Sequence, residues 1–285
     1  MFIGLIKKMV IADRLAVYVD SVFQDAAAGS STQIMGCPSV LALIFFAFQL
    51  YIDFSAYSQI AIGTAKILGF SLCTNFRRPY LSSSFNNFWE RWHISLSQWM
   101  RDYIFIPLGG SREGRRRTVR NLLIVFAVSG LWHGASWNYV IWGLINGLFV
   151  ILLDPLLARW KVRGVLASII VFCLWTFSLV FFRAEGIDAA WTMIRSLGLG
   201  HIGQISGFGL AWNELTFTLV LLAVLMCFEY VVERLEKRGK NIMDIMVFSR
   251  PGWLRWAVYL VLVFTIILFG VYATNNDNSF IYFQF

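Results

Sequence analysis

The chain has 285 residues, of which 58% are hydrophobic and only 14% charged, with a formal net charge of +8. Soluble globular chains are about half apolar and about a quarter charged, so the composition excludes an ordinary soluble domain. It predicts an all-α, polytopic integral membrane protein, a single membrane domain over residues 1–285 surrounded by membrane lipid. In such a protein excess Lys and Arg mark the loops that stay in the cytoplasm, so the charge gives no reason to expect a nucleic-acid partner. The four cysteines (Cys37, Cys73, Cys173, Cys227) are scattered, without metal-ligand or disulfide spacing, so neither a metal site nor a disulfide framework is expected.

Residues 2–23 predict a moderately amphipathic helix, a short span or an interfacial one, interrupted by Lys7, Lys8, Asp13 and Arg14. Its charges fall inside the apolar run rather than before it, unlike a signal peptide. Residues 37–70 predict a long helix or a bent pair, with Asp53 buried in its middle. Asp53 then needs a partner, for which Arg101 and His93 are candidates; a structural bond between helices is the plainer role. "CTNFRRPYLSSS" is a polar loop with a proline break.

From Phe85 to Tyr103 apolar residues fall at 85, 88, 89, 92, 96, 99, 100 and 103, the spacing of one amphipathic helix at an interface or lining a cavity. Helical spacing sets Glu90 three before His93 and Ser97 four after it, with Arg101 one turn beyond. Glu90 and Ser97 then either hold the His93 imidazole or belong to an ordinary polar face.

"PLGGSREGRRRTVRN" is a glycine-rich loop with Arg112, Arg115, Arg116, Arg117 and Arg120, and the next basic cluster is Arg159, Lys161 and Arg163. If both are cytoplasmic, the apolar stretch 121–157 must enter the membrane and return. Spans are predicted at 164–183, 213–231 and 256–274, with a third basic loop between the last two. His201 lies in a glycine-rich loop and is expected to be exposed.

The stretch "SGLWHGASW" lies within the returning segment. Twelve residues after Asn121, at 1.5 Å each, His133 would stand roughly 18 Å along its leg, past the middle of a hydrocarbon core of roughly 30 Å. Gly134, Ala135 and Ser136 permit a turn, and Trp132 and Trp137 would wall a site or sit in an interfacial belt. A neutral imidazole there is either glue between helices or a proton acceptor for an incoming hydroxyl. Spacing alone leaves both open.

Five stretches together resemble the membrane-bound O-acyltransferase (MBOAT) superfamily: "GLIKKMVIADRLA", "YIDFSAYSQIAIGTAKILGF", "NFRRPYLSSSFNNFWERWHISLSQWMRDYIFIPLGGSREG", "RNLLIVFAVSGLWHGASWNYVIWGLINGL" and "FIYFQF". The nearest branch is that of alginate O-acetylation, and teichoic-acid D-alanylation proteins are relatives. The resemblance implies transmembrane, re-entrant and interfacial helices around a central funnel in a bacterial cytoplasmic (inner) membrane. It implies that His133 is catalytic, with His93 close to the same cavity. The implied donor is acetyl-CoA or a derived acyl carrier, with no bound cofactor. The implied acceptor is an extracellular polysaccharide, and a separate periplasmic or extracellular acetyltransferase completes the transfer.

Two features depart from the family's pattern. Glu90 stands before "RWHISLS" where members usually carry a basic residue, and "GLIKKMVIADRLA", which in the family follows several transmembrane helices, here opens the chain. The family's N-terminal helices are therefore expected to be missing.

On this reading His133 deprotonates the acceptor hydroxyl, and His93 positions the acyl group or stabilises the oxyanion. Asp53, Glu90, Ser97, Arg101, Trp132 and Ser136 line or support the cavity. Arg112, Arg115, Arg116 and Arg117 attract an anionic donor or simply determine topology. Two other readings fit the residues: a transporter or export component without catalysis, and an inactive truncated fragment.

Overall fold

Apolar runs too long for the surface of a soluble protein become the longest helices of the chain. The computed structural model describes residues 1–29, 36–198, 202–242, 249–272 and the single positions 245, 247 and 280. The chain begins with α1 (Phe2–Ile6), a π-helical turn at Lys7–Ala12, α2 (Asp13–Ala27) and α3 (Cys37–Ile67). Two short helices follow, α4 (Phe85–Trp89) and α5 (Ile94–Met100), then α6 (Arg115–His133), α7 (Trp137–Leu148) and α8 (Asp154–Arg159). The remainder is α9 (Gly164–Arg183), α10 (Ile187–Ser196), α11 (Trp212–Glu236) and α12 (Gly252–Phe269). Among the described residues the only β pairing is the isolated bridge between Gly36 and Leu197. The fold is thus all-α, and among the described residues five helical stretches are long and apolar enough to cross a membrane: 37–67, 137–159, 164–183, 212–236 and 252–269.

The described residues divide into two compact units, one drawn from 1–18, 48–72 and 206 onward, the other from 19–47 and 73–205. In the first unit Lys7, Lys8 and Asp13, three of the charges that interrupt the opening helix, are buried. Lys8 Nζ lies 2.9 Å from Asp13 and 2.8 Å from Asp53. Lys7 Nζ lies 3.8 Å from Glu229 of α11, whose carboxylate also accepts the Tyr51 hydroxyl proton at 2.6 Å. The π turn carries Lys7 and Lys8, and such wide turns recur at functional or strained positions. A backbone bond from Val271 to Met9 (2.7 Å) and one from Arg14 to the Phe269 carbonyl (3.1 Å) tie the end of α12 to the opening segment.

The second unit is organised by the hairpin of α6 and α7. Gly130 and Gly143 sit where the two backbones touch: a Cβ on Gly143 would overlap the Phe126 carbonyl, and one on Gly130 the Tyr139 carbonyl. Without a hydrophobic force between helices in lipid, such close approach of small residues is what holds spans together. Residues 121–157 thus contain a helical hairpin, with its turn at residues 134–136. Helix α9 packs on α7 through polar groups that need partners in an apolar layer: Asn146 Nδ2 donates to Ser178 Oγ (3.2 Å), and Ser178 donates to the Trp175 carbonyl (2.7 Å). Arg183, at the end of α9, pairs with Asp20 at 2.7 Å.

The single helix predicted for residues 85–103 is broken. The chain leaves helical geometry at 90–93, where His93 takes a left-handed conformation (φ 42°) before α5 begins. Periodicity across the break was kept by two short helices, so the spacing concealed it. The third span ends at Phe269 rather than residue 274. Residues 37–67 form one continuous helix, not a bent pair. His201 lies outside the described residues.

Candidate active site

His133 is the last residue of α6, and Gly134 follows it as the cap. A Cβ on Gly134 would come within 2.5 Å of the Tyr139 ring, so only glycine lets the chain turn here beneath that tyrosine. Ser136 then caps α7, accepting from the Asn138 N–H at 3.3 Å. The imidazole is enclosed by aromatic edges: its ring centroid is 5.0 Å from Trp132, 5.2 Å from Trp142 and 5.1 Å from Phe182. Trp142 and Phe182 in turn touch each other at 5.0 Å.

His93 reaches the same site across Trp132, which stands 5.9 Å from it and edge-on to both imidazoles. Its own position depends on Asn75, in the loop before α4. The Asn75 side-chain oxygen accepts from the Ser95 N–H (3.1 Å) and hydroxyl (3.0 Å) and faces His93 Nδ1 at 3.3 Å. Because a backbone N–H can only donate, the atom it meets is the oxygen of the amide, and His93 Nδ1 therefore carries the proton. That tautomer leaves Nε2 as the ring's acceptor atom. Burial pushes the His93 imidazole below the usual histidine range, which favours its neutral form. The Asn75 carbonyl also accepts from Ile94 (3.0 Å), so this one residue holds the left-handed turn from both sides.

A cavity of about 360 Å³ runs along α6, lined among others by Trp89, Ser97, Arg101, Leu122, Val125 and Ser129. Residues 122, 125 and 129 mark successive turns of one helix face, and His133 is the next position on it. The cavity thus ends one turn short of the histidine. A second cavity of about 510 Å³, bordered by Ser111, Gly114, Arg115 and Thr118, shares Asn86, Leu122 and Val150 with the first. Beyond the histidine a third, of about 430 Å³, is lined by Leu131, Ser136, Asn138 and Ile187.

Other predicted site residues have these partners. Asp53 is paired with Lys8 within the first unit. Arg101 instead pairs with its neighbour Asp102 at 2.7 Å on an exposed surface, which holds the Asp102 carboxyl below the usual carboxylate range. Glu90 accepts from Asn87 (3.3 Å), and Ser97 donates to the Trp92 carbonyl (3.2 Å). The break at 90–93 takes Glu90 off the face of His93, and the left-handed backbone of His93, the N-cap of α5, turns its side chain away from the regular helical direction. Ser97 and Glu90 still line the cavity. Arg112, Arg115, Arg116 and Arg117 are exposed at the loop and first turn of α6, with Arg117 paired to Glu113.

Other residues carry the site's geometry without a sequence signal having named them. Asp154, at the start of α8, accepts from the Phe85 and Asn86 N–H groups (2.7 and 2.8 Å) and the Asn86 amide (2.6 Å). A carboxylate there caps α4 and favours its positive end. Asn121 donates to the Leu108 and Gly110 carbonyls, both at 3.0 Å, tying the glycine-rich loop to α6. Asparagines inside apolar runs were the available clue, since amides in such surroundings must be bonded. Among the described residues no cluster of His, Cys, Asp and Glu could hold a metal ion.

Residues 1–184 match the family described as MBOAT, membrane-bound O-acyltransferase. The chain belongs to this family. It is 38% identical over 232 residues to the probable alginate O-acetylase AlgI of Pseudomonas aeruginosa, a match covering 79% of this chain and 43% of that protein. The corresponding protein of Azotobacter vinelandii is 41% identical over 203 residues, 68% of this chain and 38% of its own. A peptidoglycan O-acetyltransferase of Helicobacter pylori is 36% identical over 200 residues, again 68% of this chain and 37% of its own. The MBOAT chain described here thus matches less than half the length of each of these relatives, and both histidines lie within its family-matching part.

Proposed function

We propose that this MBOAT chain carries the acyl-transfer centre of a membrane O-acyltransferase, most simply an O-acetyltransferase acting toward an extracellular polysaccharide in a bacterial cytoplasmic membrane. The observation that carries this reading is the position of His133. It stands at the tip of the α6–α7 hairpin, between a cavity that ends one turn before it and another that begins just beyond it. A group so placed can be approached by two substrates from opposite sides.

In the proposed step a neutral His133 nitrogen takes the proton of the acceptor hydroxyl as its oxygen attacks the acyl carbon. The ester C–O bond forms and the bond to the donor's leaving group breaks; for a thioester the departing sulfur recovers the proton from the imidazolium. General-base assistance is worth roughly a hundred- to ten-thousandfold, and holding both substrates at one constriction supplies a further proximity gain. His93, with its proton on Nδ1 and held by Asn75, orients the acyl group from the other side of Trp132.

The donor is an acyl thioester such as acetyl-CoA or an acetyl carrier, and the arginine loop is its docking point. Three arginines and no acidic residue occupy the first turn of α6. Cations at a helix N-terminus are unfavourable unless an anion accompanies them, and the cavity beside Arg115 connects through Asn86, Leu122 and Val150 with the one leading to His133. A periplasmic or extracellular acetyltransferase would take the acyl group onward to the polymer.

The test is His133→Ala and His133→Gln in membranes, assayed for transfer of radiolabelled acetyl from acetyl-CoA. Both should lose at least a hundredfold in rate while remaining monodisperse in detergent. Full activity in either folded variant would sink the proposal.

A further inference from the structure

The wall behind His133 is an unusual concentration of indole. Trp142, in ring contact with the histidine, packs on Trp175 at 5.9 Å and on Trp89 at 6.1 Å, and these two meet at 5.7 Å. Phe88 closes the back of Trp175 at 4.5 Å. Trp142 and Trp175 are at most 1% exposed, whereas Trp89 is part-buried and faces the 360 Å³ cavity. The three rings touch one another, with centroid separations in the range of packed aromatic pairs.

All three indole N–H groups are buried without an acceptor among the described residues. Buried donors are nearly always paired in native structures, and tryptophan N–H groups usually find partners. Here the three Nε1 atoms are enclosed by the packing, so the wall presents ring carbons and is fixed in shape by the three mutual ring contacts.

We propose that Trp142, backed by Trp175 and Trp89, is the specificity-determining wall of the acyl site and limits the transferred group to short acyl chains. This inference rests on the acyl-transfer reading above. The carbonyl of the acyl group lies at His133, and the chain beyond it would have to enter the space the indoles fill. Lodging a methylene in a fitted apolar pocket is worth about fourfold in affinity, so a wall that denies this space removes the gain that longer chains would otherwise receive. The rings of Trp132 and Phe182 close the remaining flanks of the histidine.

The experiment compares acetyl-, butyryl-, hexanoyl- and octanoyl-CoA as donors in membranes containing the full chain, wild type against Trp142→Ala, Trp142→Phe and Trp89→Leu. Wild type should favour acetyl at least tenfold over hexanoyl. Trp142→Ala should raise the hexanoyl-to-acetyl ratio of kcat/KM at least tenfold, and Trp142→Phe, which keeps a ring, by about threefold. Trp89→Leu, at the cavity edge, should shift the ratio in the same direction and guards against a Trp142→Ala protein that does not fold. Ratios that stay at the wild-type value in folded variants, or a wild type that transfers octanoyl as well as acetyl, would overturn the inference while leaving the acyl-transfer reading intact. If no His133-dependent transfer occurs with any donor, both fall together.

Discussion

Asn75 is the sharpest test of how the site is held together, because its bonds all go to the turn that carries His93. Its side-chain oxygen takes two bonds from Ser95 and faces His93 Nδ1, at distances of 3.1, 3.0 and 3.3 Å. Each such bond contributes about 1 kcal/mol net. The left-handed conformation of His93 costs about 1–2 kcal/mol for a residue with a Cβ, so the three bonds are of the same order as the strain they oppose. Asn75→Ala removes them, and the turn should relax, carrying the imidazole away from Trp132. If about 2 kcal/mol of that positioning is felt in the transition state, the rate falls about thirtyfold.

Asn75→Asp separates geometry from proton state. The carboxylate keeps every acceptor role but places a negative charge beside Nδ1, which raises the histidine pKa by favouring the imidazolium. Neutral His93 would then be recovered only at higher pH, so the acidic limb of the kcat profile should move to higher pH while KM for the donor changes little. The assay is acetyl transfer as a function of pH for wild type and both variants, with thermal melting in detergent as a check on folding. A folded Asn75→Ala protein with wild-type kcat, or an Asn75→Asp profile that moves to lower pH, would refute the positioning argument.

Two further outcomes are expected elsewhere in the chain. Lys8→Met would leave the buried carboxylates of Asp13 and Asp53 without the cation between them; breaking a buried pair in this way costs about 3–5 kcal/mol, and the melting temperature should drop sharply, with partial recovery in Lys8→Met combined with Asp53→Leu. Gly143→Ala would drive a methyl into the Phe126 carbonyl and wedge α6 from α7; overpacking of this kind costs about 1–3 kcal/mol, and a variant as stable as wild type to heating would show that the hairpin is not held by that approach.

Much of the architecture was legible because it depends on local chemistry. Long apolar runs must be helices in a membrane, since every backbone group has to be bonded internally. If the basic clusters on either side of 121–157 share a side, that segment must double back, and the small residues after His133 supply the turn the structure shows. The two histidine motifs stood out for the same reason: ionisable groups in apolar surroundings need a purpose or a partner.

What sequence reasoning could not reach were the pairings between distant segments. Lys7 and Lys8 interrupt the apolar run of the opening helix with no partner evident from spacing, yet they are buried against Asp13, Asp53 and Glu229, carboxylates that include two from far along the chain. Asp53 pairs with Lys8, a partner its spacing in the sequence does not indicate. The interrupted helix at 90–93 was hidden because Asn75, a loop residue, pins a conformation that Glu90 and Ser97 by their spacing would never suggest. By itself the sequence placed His133 next to a turn, since Gly134, Ala135 and Ser136 follow it directly in an apolar stretch bounded by basic clusters. Only the tertiary structure decided that its neighbours are Trp132, Trp142 and Phe182, with His93 one ring away, because side chains from four separate segments meet there only after the helices have packed.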